Sequence, residues 1–113
     1  MTVLFIGGAH QGKASLARKL YPDLPLTTGL HLLVRETLAR GGDPAALLGG
    51  LRGHVVTCDE VGCGVVPLDR NDRDWREAVG RLGCALAAEA DTVVRVTAGL
   101  PQAIKGALPG VDA

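Results

Sequence analysis

The chain has 113 residues, with twelve basic and twelve acidic side chains and a formal charge of zero. That length is one domain, residues 1–113, with room for a core but little for a second unit, and the balanced charge gives no long-range field for nucleic acid or an anionic membrane. Hydrophobic residues at 47% and charged residues at 21% are ordinary globular usage, and one Trp, one Tyr and one Phe are too few for a base-stacking platform.

The first apolar run, Val3 to Ile6, has strand length. No basic region precedes it and glycine cuts it off at position 7, so it reads as neither a signal peptide nor a membrane span, and a cytoplasmic protein is expected. Gly7-Gly8-Ala9-His10-Gln11-Gly12-Lys13 follows, with Gly7, Gly12 and Lys13 meeting the pattern Gly-x-x-x-x-Gly-Lys between a buried strand and a helix start. Glycines let successive N–H groups turn inward on an anion, the helix dipole adds partial positive charge, and the lysine adds a full one. The loop residues 7–13, with Ala14 and Ser15 after them, are therefore the candidate nucleotide contacts. Ala14 stands where a Ser or Thr normally ligates magnesium; Ser15 comes one step later, about 100° further round the helix.

Leu16, Ala17 and Leu20 give the first helix its apolar face, Arg18 and Lys19 sit at its carboxyl end, and Pro22 ends it. Leu24 to Thr27 allows a very short strand. Leu30 to Arg40 reads as helix with Thr28 as its cap; Gly41-Gly42 stops it, and Asp43-Pro44 starts another as cap and first-turn proline. His54 to Cys58 is the second clear strand, running into Asp59-Glu60. Ligands of open parallel sheets lie beyond the carboxyl ends of the strands, so these acids are expected to share an edge with the loop.

Gly62 and Gly64 suggest a flexible turn and Val65-Val66-Pro67 an extended passage. Asp72 to Ala90 carries the longest helical pattern, with Trp75, Val79, Leu82 and Leu86 on the buried stripe. Gly80 and Gly83 within it suggest close packing against a neighbour. Thr92 to Thr97 is the third strand, broken by Ala98-Gly99-Leu100-Pro101, and the tail from Lys105 to Ala113 reads as frayed at its end. Cys58, Cys63 and Cys84 form no C-x-x-C pair, which argues against zinc or a disulfide framework and leaves three buried free thiols as the expectation. Strands alternating with helices imply an α/β fold with a parallel sheet of three or four strands.

The loop 7–13 and, more specifically, Glu60-Val61-Gly62-Cys63-Gly64-Val65-Val66-Pro67 followed by Arg73, Arg76, Gly80 and Arg81, resemble the adenosylcobinamide kinase and adenosylcobinamide-phosphate guanylyltransferase family of cobalamin biosynthesis. The resemblance extends to Ala98-Gly99-Leu100-Pro101 and Ile104-Lys105, and covers about half of the chain. It implies a P-loop NTPase-like three-layer fold with a small, mostly parallel sheet. It also implies GTP or ATP with Mg2+ as cofactors, adenosylcobinamide as the acceptor, and a homo-oligomer without nucleic-acid or membrane partners. Family enzymes phosphorylate the aminopropanol hydroxyl of adenosylcobinamide, then transfer GMP to that phosphate through a histidine. The chain departs from them at Ala14 and in the short stretch between the first helix and the second clear strand, which in the family holds the guanylylated histidine and a further acidic strand end.

Lys13 is the phosphate cation by this reading. Glu60 is the catalytic carboxylate that faces the terminal phosphate and holds metal or takes a proton; Asp59 competes as a metal ligand, although alternation in extended chain points it to the opposite side. Arg73 and Arg76 are candidate phosphate clamps. His31 is the histidine in the region corresponding to the family's nucleophile-bearing segment, with a cap or packing role as the alternative; His10 and His54 lie elsewhere. The expected activity is nucleotide-dependent phosphorylation of adenosylcobinamide, with guanylyl transfer to adenosylcobinamide phosphate as a second candidate activity. A non-catalytic nucleotide-binding regulator or corrinoid carrier is the alternative, and a small kinase with an unrelated acceptor a third.

Overall fold

Val3, Leu4 and Phe5 are each no more than 2% exposed, which places their strand, β1 (Val3–Gly7), in the middle of the sheet. The computed structural model describes residues 1–61 and 69–110. Its order is β2-β3-β1-β4-β5, where β2 is Leu26–Thr27, β3 is Val55–Asp59, β4 is Thr92–Thr97 and β5 is Leu100–Lys105. The first four strands are mutually parallel and β5 returns antiparallel to β4. Nearly continuous apolar runs such as Val-Leu-Phe-Ile suit strands covered on both faces.

Helix α1 (Lys13–Leu20) covers one face, where Phe5, Val55, Val94 and Val96 pack with Ala17 and Tyr21. On the other face lie α2 (Leu30–Ala39), a 3-10 turn over Pro44–Leu47 leading into the single turn α3 (Leu48–Leu51), and α4 (Arg70–Glu89). There Leu4, Val56 and Val93 meet Leu30, Val34, Leu82 and Leu86. This is the expected three-layer α/β arrangement of P-loop NTPase type. Among the described residues, no helix is long and apolar enough to cross a membrane.

The sheet has five strands where three or four are expected from the sequence. Ala98 and Gly99, both at positive φ (51° and 77°), close a two-residue turn, and Thr97 pairs with Leu100. Pro101 argued against a strand, but proline is tolerated on an edge, which is where β5 lies. Lys105 is consequently ordered: its ammonium donates to the carbonyls of Ala87 and Ala88 and caps α4, whose last turn holds no basic residue.

Other expectations are corrected locally. Gly29, not Thr28, is the N-cap of α2, in the left-handed conformation at φ 69°. Asp43 does cap the following turn, its carboxylate accepting from the N–H of Ala45. Among the described residues, a Cβ added at Gly80 or Gly83 would meet nothing within 4 Å, so neither glycine serves close packing against them. Cys58 is buried and free, whereas Cys84 is exposed on α4. The calls on Cys63, Gly62, Gly64, Val65-Val66-Pro67 and the last three residues lie outside the described residues.

Candidate functional site

The register of the sheet brings the loop and the strand-end acids together, because Gly7 at the end of β1 stands opposite Asp59 at the end of β3. Glu60 extends this pairing, its N–H donating to the carbonyl of Gly7 at 2.9 Å. Gly7 cannot carry a side chain: a Cβ there would lie 2.5 Å from the carbonyl oxygen of Val96 on β4. Gly12 turns the chain into α1 at φ 83°, and His10 also adopts a left-handed φ of 61°. Gly8 follows Gly7, while Ala9 and His10 are exposed. Gln11 turns its side-chain oxygen to the N–H of Ala98, which ties the loop to the β4–β5 turn.

Lys13 opens α1 and is buried at 7% exposure. Its ammonium donates to the carbonyl of Gly8 at 2.8 Å and pairs with Asp59 Oδ1 at 2.7 Å. Ala14 is half-buried beside it, and Ser15 is exposed on the outer side of the helix.

Strand alternation does separate the two acids, but in the opposite sense to the one expected. Asp59 is the carboxylate at Lys13; Glu60 pairs with Arg95 Nη2 at 3.3 Å. Extended chain fixes only that neighbours point apart, and the packing of α1 against β1 and β3 decides which of them meets the lysine. Arg95 escaped the sequence reading. Its signal was there: one arginine in the otherwise apolar and hydroxylic run Thr92-Val93-Val94-Arg95-Val96-Thr97, near a strand's carboxyl end.

His31 joins the same cluster from the first turn of α2. Its Nδ1 accepts the N–H of Asp59 at 3.1 Å, and its Nε2 lies 3.3 Å from Asp59 Oδ2. An Nδ1 that accepts leaves the ring proton on Nε2, facing the carboxylate. Burial lowers the His31 pKa from its ordinary value; Asp59 opposes that shift, and the charges of Lys13 and Arg35 add to it. The thiol of Cys58, one residue back on β3, is pushed up to about 11, chiefly by burial.

Beneath His31, its backbone carbonyl accepts from Trp75 Nε1 at 2.7 Å, and the Arg35 guanidinium stacks 3.9 Å from the Trp75 ring centroid. Asp72 stands between Arg35 (3.5 Å) and Arg76 (3.2 Å). Arg76 is thus paired on its own helix, and Arg73 is exposed on the first turns of α4. His54 lies at the far, amino end of β3, with Nδ1 at 2.8 Å from Thr27 Oγ1. Among the described residues, no group of three or more His, Cys, Asp and Glu side chains is placed to hold a metal.

No curated protein matches this chain. The model of one protein family, described as cobinamide kinase / cobinamide phosphate guanyltransferase, matches residues 45–104, more than half of the sequence. The matched stretch takes in the strand-end acids, the Glu60-to-Pro67 motif, α4, β4 and most of β5, and it leaves out the loop 7–13. The chain belongs to the cobinamide kinase / cobinamide phosphate guanyltransferase family of cobalamin biosynthesis.

Proposed function

We propose that this chain, as one nucleotide-binding domain over residues 1–113, binds GTP or ATP and transfers the terminal phosphoryl group to the aminopropanol hydroxyl of adenosylcobinamide. The observation that carries the reading is the placement of the Lys13 ammonium between the Gly8 carbonyl and Asp59, where the loop meets the end of β3. A lysine at 7% exposure, on a glycine-turned helix start, is a preformed point charge for phosphate oxygens, with the loop N–H groups of residues 8–13 beside it. The acceptor hydroxyl oxygen forms the new bond to phosphorus, the bond to the β-phosphate oxygen breaks, and nucleoside diphosphate leaves. Glu60, on the Arg95 side, takes the hydroxyl proton. Arg73 and Arg76 on the first turns of α4 are the candidate clamps for acceptor or nucleotide oxygens.

Magnesium fits this site through Asp59. The Asp59 carboxylate, which stands at the loop 2.7 Å from the Lys13 ammonium, would hold the ion, and Ala14 offers it no hydroxyl. When bound, it neutralises charge on the phosphate oxygens. The proposal is confined to the kinase step: a nucleophilic role for His31 needs a ring nitrogen free to attack, whereas Nδ1 accepts the N–H of Asp59 and Nε2 faces its carboxylate. The accompanying picture is a cytoplasmic homo-oligomer without nucleic-acid or membrane partners.

The test incubates the protein with adenosylcobinamide, Mg2+ and GTP or ATP, and follows adenosylcobinamide phosphate by mass spectrometry. Product formation with release of nucleoside diphosphate supports the kinase. Tight nucleotide binding without product supports the second reading, a non-catalytic nucleotide-binding regulator or carrier, which the half-buried Ala14 and the outward Ser15 favour.

A further inference from the structure

We propose that His31 is a positioning residue for Asp59, which holds the carboxylate in place once Lys13 leaves it for a phosphate; this rests on the roles given to Lys13 and Asp59 above. Of the contacts on Asp59, the shortest is the one that a ligand removes. Lys13 supplies it at 2.7 Å on Oδ1, and a phosphate entering the loop competes for the same ammonium. The contacts of His31 are on the other oxygen and on the backbone, out of that competition.

The backbone contact has a topological origin. Along β3 the N–H groups alternate in direction: that of Glu60 goes to Gly7 on β1, and that of Val55 goes to Pro25 on the β2 side. Asp59 has the parity of Val55, so its N–H points to the β2 side, but β2 pairs only with Val55 and Val56 and then ends. The end of β3 is therefore an open strand edge on that side. The chain that follows β2 covers it with two substitutes: the N–H of Gly29 donates to Thr57 Oγ1 at 3.1 Å, and His31 Nδ1 accepts from Asp59. With Trp75 bonded to the His31 carbonyl at 2.7 Å, α2, α4 and β3 all fix where the imidazole stands. A ring so placed has one acceptor for the backbone and one N–H for the carboxylate, and both act on the same residue.

The experiment compares the wild type, Asp59→Asn, and His31→Phe, His31→Asn and the double variant His31→Phe/Asp59→Asn in the full chain. Calorimetry measures the ratio of GTP affinity with magnesium to that with EDTA, and kcat and KM are measured beside it. Replacement by Phe keeps shape and removes both contacts; Asn restores an acceptor near the Nδ1 position. The expected result is that His31→Phe lowers the magnesium-dependent ratio about tenfold, as Asp59→Asn does, and lowers kcat more than it changes KM for GTP. His31→Asn is expected to recover part of the loss, and in the Asp59→Asn background His31→Phe adds nothing. A wild-type ratio in His31→Phe, or an equal loss with Asp59 already replaced, overturns the inference while leaving the kinase reading intact. An unchanged ratio in Asp59→Asn overturns the role of Asp59 itself, and the inference with it.

Discussion

Two consecutive carboxylates at the end of β3 face opposite sides of one sheet edge, and their surroundings differ in kind. Asp59 lies among α1, the loop and α2, with a buried lysine at 2.7 Å and an imidazole at 3.3 Å. Glu60 pairs with Arg95 on β4, whose side chain is about half exposed, while the two carboxylates are themselves exposed alike, at 25% and 27%. The first carboxylate is set against cationic and imidazole partners from two helices; the second is set against a guanidinium from the neighbouring strand. The contrast teaches that carboxylate identity matters less at such an edge than which helix packs over each face.

The largest expected effects separate the two carboxylates. Asp59→Asn is expected to reduce turnover about a hundredfold or more and to weaken magnesium-dependent GTP affinity as well. Glu60→Gln is expected to reduce turnover by about a hundredfold with GTP affinity within about twofold, as befits a proton acceptor on the acceptor side. Steady-state kinetics paired with calorimetry checks both, and a Glu60→Gln protein that loses GTP binding would erase the distinction.

Next in size is Lys13→Ala, which removes the only full positive charge in the loop. Charge-assisted contacts are worth about 1.5 to 3 kcal/mol, so affinity for GTP and ATP is expected to fall roughly ten- to a hundredfold in calorimetry. Equal affinity in wild type and variant would separate the loop from nucleotide binding altogether.

A smaller effect is expected from pH, on the face opposite Asp59. The Cys58 thiol has its pKa raised from 9.0 to about 11 in the folded chain, mainly by burial. Above pH 9 the unfolded chain ionises this thiol and the folded chain does not, so stability is fully present below that pH and declines up to about 11. The decline amounts to about 2 to 3 kcal/mol at one pKa unit per 1.36 kcal/mol. Tyr21, also raised by burial, adds in the same direction at higher pH. Urea unfolding at pH 8 and pH 11 is expected to show a shallower loss in Cys58→Ala than in the wild type.

Ala14→Ser is the smallest change and probes the loop side alone. On the proposed reading a Ser hydroxyl would replace one water ligand of magnesium, and the expected gain in magnesium-dependent GTP affinity is about two- to fivefold, on the scale of a single net hydrogen bond. No gain would mean that water serves that position equally well.

Much of the fold was legible in the residues. The loop pattern, the apolar runs at 3–6, 55–58 and 92–97, the cap at Asp43 and the buried stripe of α4 are local features, and local sterics and periodicity fix them. The sequence by itself also set the pairing of a glycine loop with strand-end acids, because a parallel sheet has only one edge where the strands' carboxyl ends meet. Three matters waited for the tertiary structure. Which of Asp59 and Glu60 turns to Lys13 depends on the face that α1 covers, and alternation has no sign until a helix packs on it. That β5 forms at all depends on an edge of β4 being open, since Pro101 is acceptable only there. His31 serves Asp59 because β2 stops after two residues and leaves an N–H of β3 to be satisfied from twenty-eight positions away, a relation carried by strand length and not by any motif.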